Sequence, residues 1–309
     1  MRSSAFLLLM GALLFLDSSP AAPAVYKYRD ASGRLIYTDQ KPGSETAVET
    51  LAVKLESKAP RIAVERVGDA EHWELRAINE CLCVVEFEVR TLEARNVNLS
   101  GGAVYHGTLR AQSQQQLVQV SHDGADAPKL RYTWKAVLGE PGARHMPREP
   151  YRAPFSVGTS YRISQAYPAR FTHTDLESQY AIDFALPDET PVCAARAGTV
   201  INIRYDSFRG AATRLLMDQA NVVEILHDDG TIGIYAHLHW DSIRVHPGQH
   251  VARGEYIANS GNTGFTTGAH LHFAVIRNAG LKAVSEPIQF SGPGSTAVTP
   301  EQNMMLTAY

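Results

Sequence analysis

Short runs in which apolar and polar residues alternate recur along most of the chain, and a period of two is the signature of half-buried β-strands. From about Arg61 to Glu140 these runs are HWELRAIN, CVVEFEVRTL, VYHGTLRA, QQLVQVSH and KLRYTWKAVL. Turn-forming pieces separate them, among them Leu99-Ser100-Gly101-Gly102 and Asp123-Gly124-Ala125-Asp126. Short strands at this spacing predict a β-sandwich of immunoglobulin-like size over residues 59–140. The proline-rich stretch GEPGARHMPREPYRAPF, residues 139–155, reads as a linker or wrapping arm, with the linker segment set at 141–155. A second set of runs, YAIDFAL, TVINIRY, NVVEILHD, TIGIYAHL and HLHFAVIR, fills residues 156–290, with Asp228-Asp229-Gly230 as a hairpin turn between two of them. The tail 291–309 has little pattern and is expected to be loose at its end. The predicted fold class is all-β.

At the other end, VYKYRDASGRLIYTDQKP alternates on both sides of Asp30-Ala31-Ser32-Gly33, which predicts a two-stranded hairpin within a small module, residues 25–58. A hairpin of this size is marginal alone and needs something to pack on. Ahead of it, Arg2, the apolar run Ala5 to Leu16 and the small residues through Ala22 and Ala24 read as a signal peptide, residues 1–24, cleaved after Ala24. The apolar run is shorter than the ~20 residues that span a bilayer. The expectation is an exported protein with no membrane span after cleavage, periplasmic or in the cell envelope in preference to secreted.

The 309 residues allow two or three domains, and 44% hydrophobic content allows real cores. A formal net charge of −3 with scattered lysines and arginines gives no basic field for nucleic acid. Cys81, Cys83 and Cys193 are an odd set for an exported chain. Cys81 and Cys83 would share one face of a strand, where a disulfide between them would be strained. The three read as buried small hydrophobes in two places, and no second cysteine or histidine pair makes a zinc site of them.

The chemistry concentrates in GAHLHFAV, where His270 and His272 stand one residue apart in an apolar run. On a strand they would point to one face, about 6 to 7 Å apart, so both could serve one small site. Read with HTDLESQYAIDFALP, TPVCAARAGTVI and YAHLHWDSIRVHPGQHVARGEYIANSGNTGFTTG, this stretch resembles the lysostaphin-like (LytM-type) zinc metalloendopeptidases that cut peptidoglycan cross-bridges. The resemblance covers roughly residues 160 to 290. The N-terminal module resembles a short exported module of unknown function found on bacterial envelope proteins.

The resemblance implies an antiparallel sheet lining a groove with one zinc ion on its floor, and stem peptides of peptidoglycan as the substrate. It also implies the ligands: Asp183, His272 and one further histidine, with His237 and His270 acting on water and on the developing charge. The family's early motif is His-x-x-x-Asp, yet Gln179 stands four residues before Asp183, and a glutamine amide is a poor zinc ligand. The nearest upstream histidine is His173, and the chain is similar to an envelope subgroup in which a longer insertion follows the histidine. The expected metal ligands are therefore His173, Asp183 and His272. Without His173 the chain would instead be a non-catalytic envelope regulator that binds or activates a cell-wall hydrolase. A regulatory envelope protein is a further partner consistent with either reading.

The remaining histidines, His72, His106, His122, His145, His227, His239, His246 and His250, carry structural expectations, His239 being the most open because it would share a face with His237. Asn221 is open between pointing an amide into the cleft and holding a turn. The glycines of SGNTGFTTG suit close approach of backbone to a peptide. Asp175 and Glu177 read as a solvated loop, not as a glycosidase carboxylate pair.

Overall fold

The computed structural model describes residues 60–309 except 70, 123, 125, 169 and 170, and before them only the backbone of three strands. Those three strands form a compact unit of their own. Ala24–Arg29 pairs antiparallel with Leu35–Thr38, the expected hairpin, and on its other edge with Glu49–Ala52. The leader up to residue 23 and the hairpin turn Asp30–Gly33 lie outside the described residues.

The alternating runs after residue 60 form two antiparallel sheets. One has four strands, Ile62–Gly68, His72–Asn79, Ser113–His122 and Val97–Leu99; the other has three, Lys129–Leu138, Val85–Arg95 and Val104–Leu109. Period-two burial fills the space between them: Trp73, Leu75 and Ala77 from one sheet meet Val85, Phe87 and Val89 from the other. Cys81 and Cys83 lie in the turn between strands and not on a strand, because the chain must reverse there from one sheet to the other. They are free and buried, as is Cys193, and burial pushes the Cys81 and Cys83 thiols up to about 12 and about 11.

A nine-stranded antiparallel sheet organises the rest. Its order is His250–Val251, Gly198–Arg204, Val222–Leu226, Ile232–Ala236, Leu271–Asn278, Ile182–Phe184, Ser160–Gln165 and Met305–Thr307, with Ala283–Ser285 also on Leu271–Asn278. The Asp228-Asp229-Gly230 turn joins Val222–Leu226 to Ile232–Ala236 as expected. Asp229 Oδ1 accepts from the Thr231 backbone N–H and hydroxyl, and Gly230 takes φ +81°, a conformation that disfavours side chains.

Of the two readings of residues 141–155, a linker or a wrapping arm, the packing fits the wrapping arm: Tyr151, Ala153 and Phe155 are buried in the main core, where Phe155 meets Phe184 edge-on. The tail differs from expectation and is not loose at its end. Met305–Thr307 pairs with Ser160–Arg162 as an edge strand of the sheet, and Leu306 and Ala308 are buried. Two apolar anchors and a free sheet edge offset the entropy of ordering that short segment.

The sheet has two faces with different occupants. Ile182, Phe184, Val223, Ile225, Tyr235, Leu271 and Phe273 point into the main core. On the opposite face Ile201, Ile232, Ala274 and Ile276 join the core of the sandwich. Polar ties fix that junction: the Leu281 N–H donates to buried Glu86 at 2.6 Å, and Asn278 Nδ2 donates to the Gly139 carbonyl at 3.1 Å.

Candidate metal centre

Alternation decides where the chemistry goes. In Leu271–Asn278 the residues Leu271, Phe273 and Val275 face the main core, so His272 points to the other face; in Ile182–Phe184 the same logic turns Asp183 outward. The register sets Asp183 directly opposite His272, and His272 opposite Ala236 on the next strand. Directly opposed residues have Cβ atoms about 5 Å apart, close enough for a carboxylate and an imidazole to meet. They do: Asp183 Oδ1 lies 2.9 Å from His272 Nδ1.

His173 arrives from the loop ahead of Asp183. Its Nε2 lies 3.3 Å from Asp183 Oδ2, and its ring stands edge-on to that of His272 at 4.9 Å. One ligand atom from each of His173, Asp183 and His272 falls within 4.8 Å of the others, the one such cluster of three or more His, Cys, Asp or Glu among the described residues. His173 Nδ1 is buried without a hydrogen-bond partner, so the ring's polar engagement is toward Asp183 alone. Burial pushes the Asp183 carboxyl up, but hydrogen bonds from His173 and His272 overcome it and hold the group ionised well below the usual range. Two imidazoles and an ionised carboxylate with an open side toward a cavity are the three-ligand set that catalytic zinc takes. Gln179 is not in the cluster; its backbone N–H donates to the Asp175 carbonyl within the loop.

Two further imidazoles flank this point. His237 follows Ala236 and turns into the left-handed region at φ +63°. Its Nδ1 lies 2.7 Å from the Thr263 carbonyl, which can only accept, so Nδ1 carries the proton and Nε2 is bare. Burial, followed by the nearby His270 and His272, pushes the His237 pKa down to about 3, so the ring is neutral near pH 7. His270 sits just before its strand, not on it, held by a bridge to Gly261, and its Nδ1 donates to the Gly268 carbonyl at 2.9 Å. The His237 and His270 rings are 4.4 Å apart. A cavity of about 690 Å³ takes in His173, Asp183, His237, His270 and His272.

Asn221 resolves toward the turn. Fully buried, it donates to the Ser207 and Leu238 carbonyls and accepts from the Ser207 N–H, fixing the chain that carries His237. His239 faces away, 3.7 Å from Glu189, and takes no part. His227 is buried on its own, bonded to the Ala197 carbonyl. Asp175 caps its own loop by accepting from the Ser178 N–H and hydroxyl. Gly261 is where the SGNTG loop presses on the His237 turn: a Cβ there would lie 2.5 Å from the His239 nitrogen.

Sequence reasoning missed Gln165 and Thr172 at the rim of the cavity and the Thr263 carbonyl. A backbone acceptor leaves no trace in a sequence. Gln165 left only a misleading one: in SYRISQ it falls in the phase of Tyr161 and Ile163, which counts it toward the core.

An all-β domain here gathers a His-Asp-His donor set that could hold a metal ion, with two more imidazoles beside it, in one cavity. Residues 177–284 match peptidase family M23, and residues 11–65 match a domain of unknown function, DUF4124; the chain therefore carries an M23 peptidase domain. Asp183, His237, His270 and His272 fall inside the matched segment, and His173 lies four residues ahead of it. The peptidoglycan DD-endopeptidase ShyA of Vibrio cholerae is 34% identical over 125 residues, 40% of this chain and 26% of that one. An uncharacterized metalloprotease of Haemophilus influenzae is 30% identical over 159 residues, 52% of this chain and 30% of that one. Lysostaphin of Staphylococcus simulans is 26% identical over 130 residues, 40% of this chain and 24% of that one. The chain spans about a quarter to a third of the length of these relatives.

Proposed function

We propose that this protein is an exported zinc-dependent endopeptidase that hydrolyses peptide cross-links of bacterial peptidoglycan in the periplasm or cell envelope. The observation that carries the reading is the convergence of His173, Asp183 and His272 beside the neutral His237. Zinc held by those three groups would supply an activated water and polarise the scissile carbonyl. The chain's own residues supply the proton handling. His237, locked by Thr263 with its Nε2 lone pair free, accepts a proton from the attacking water; once protonated it is a donor to the developing charge on the carbonyl oxygen. His270, locked in the same way by Gly268, lies beside His237 with ring centroids 4.4 Å apart, and in its protonated form its Nε2–H is a second donor to the same oxygen. The substrate class is supported by ShyA, named as a peptidoglycan DD-endopeptidase, and the export by the leader read from the sequence.

The test is digestion of purified sacculi by the zinc-loaded protein, followed by chromatography of the muropeptides. The expected result is conversion of cross-linked dimers to monomers, abolished by a chelator and by Asp183→Asn. No change in dimer content with zinc-loaded protein, across sacculi of several cross-link chemistries, would sink the reading.

A further inference from the structure

Resting on that metal-peptidase reading, we infer that Gln165 is a positioning residue that ties the loop-borne ligand His173 to the sheet-borne ligand Asp183. The need for such a tie follows from the spacing. His173 stands ten residues before Asp183, so no single strand or turn holds the two in register, and the loop between them must be fastened to keep the histidine in place. The far half is fastened at the strand Ala283–Ser285: the Ser285 N–H donates to the Leu176 carbonyl and the Tyr180 N–H to Ser285 Oγ. Around Thr172, the residue adjacent to His173, the one side chain that bonds the loop is Gln165, among the described residues.

A bulge puts it there. Ile163 pairs with Phe184 and Gln165 with Asp183, so Ser164 and Gln165 together oppose one residue. An extra residue of this kind re-aims a side chain, and here it turns Gln165 out of the core-facing phase of Ile163 onto the face of Asp183. Buried at 5% exposure, its amide Oε1 accepts from the Thr172 N–H at 3.3 Å and its Nε2 donates to Thr172 Oγ1 at 3.0 Å. A backbone N–H can only donate, so the orientation of the amide is fixed, and a residue with both a donor and an acceptor on one short stem is required. One side chain thus touches the neighbour of the first ligand while its backbone pairs with the second.

The experiment measures zinc affinity of the full chain by competition with a chromophoric chelator, for wild type, Gln165→Ala, Gln165→Glu, Thr172→Val and the Gln165→Ala/Thr172→Val double variant. Loss of a direct hydrogen-bond partner of a metal ligand weakens binding about 10- to 100-fold; Gln165 acts one residue further out, through Thr172, so a loss at the lower end of that range, about 10-fold, is expected for Gln165→Ala. Thr172→Val should show part of it, and the double variant should be no worse than Gln165→Ala, because both changes break one tie. Gln165→Glu, which keeps the shape and the acceptor but not the donor, should fall between wild type and Gln165→Ala. A purely structural role would lower the melting temperature of the metal-free protein and leave the zinc dissociation constant alone. That result, or penalties that add in the double variant, would overturn the inference. Should wild type itself bind no zinc, the metal reading fails first and the tie falls with it. Should Gln165→Ala not fold, Thr172→Val and Gln165→Glu decide the matter.

Discussion

Acid should weaken this protein through one buried histidine far from the groove. His227 is 3% exposed; its Nδ1–H donates to the Ala197 carbonyl at 2.9 Å, and its Nε2 is buried without a partner, facing Gly233. Charging that ring would place a second N–H where nothing accepts it, so burial pushes its pKa down to about 4 from an ordinary 6.5. The unfolded chain takes up the proton as pH falls through about 6.5, whereas the folded chain waits until about 4. The neutral ring's contribution is therefore complete above about pH 6.5 and is lost as pH falls toward 4. A gap of about 2.5 pK units is worth roughly 3 kcal/mol in full, of which about 2 to 3 kcal/mol is gone by pH 4.5. Urea unfolding at pH 7.5 and pH 4.5, in chelator, of wild type and His227→Asn isolates it. Asparagine keeps a donor for Ala197 and cannot titrate, and the other ionisable groups are common to both proteins. The wild type should lose about 2 to 3 kcal/mol more than the variant between the two pH values. Equal losses would refute the reasoning, whatever the absolute stability of the variant.

Three further outcomes follow from the geometry. His237→Ala should lower turnover of cross-linked muropeptides about 10²- to 10⁴-fold while zinc content stays near wild type, since it removes a proton acceptor and no ligand; loss of zinc would reassign the residue. Asn221→Ala leaves the buried Ser207 N–H and carbonyl unpaired, while the Leu238 carbonyl keeps the Thr263 hydroxyl, and should cost about 2 to 4 kcal/mol in chemical unfolding, with the His237 turn loosened. Glu86→Ala removes the acceptor of the Leu281 N–H and should cost about 2 to 4 kcal/mol, with sandwich and peptidase sheet still melting in one calorimetric transition; two separate transitions would show that the junction does not couple them.

How much of this was legible in the sequence depends on whether a residue's role follows from its local run. The period-two runs gave the strands, and Asp228-Asp229-Gly230 gave its hairpin, because both are local. His272 was legible as a polar residue in an apolar run and Asp183 through resemblance, but only the register, set by long-range pairing, makes them directly opposed. His173 was reached through resemblance and the failure of Gln179, since nothing local says where a ten-residue loop will fold back. Gln165 was hidden by the bulge: counting in twos assigns it to the core, and one extra residue at Ser164 reverses the answer. The tail was misread because its anchors, Leu306 and Ala308, are spaced by contacts with a strand 145 residues away in the chain and by no pattern of their own.

The partition of the sheet's outer face ties these threads together. Along Leu271–Asn278, His272 serves the candidate metal centre, and Ala274 and Ile276, two and four residues on, lie in the sandwich core. The next strand repeats the division, with Ala236 beside His272 and Ile234 and Ile232 beside Ala274 and Ile276. One alternation therefore serves two ends: the same outward phase that presents a candidate metal ligand at one end of the strand presents packing surface at the other. A slip of one residue in the pairing of this strand would send His272 and Ile276 together to the wrong face, so the apolar contact with the sandwich also holds the register on which the site depends. The sandwich is in this sense part of the site's foundation, although none of its residues lines the cavity.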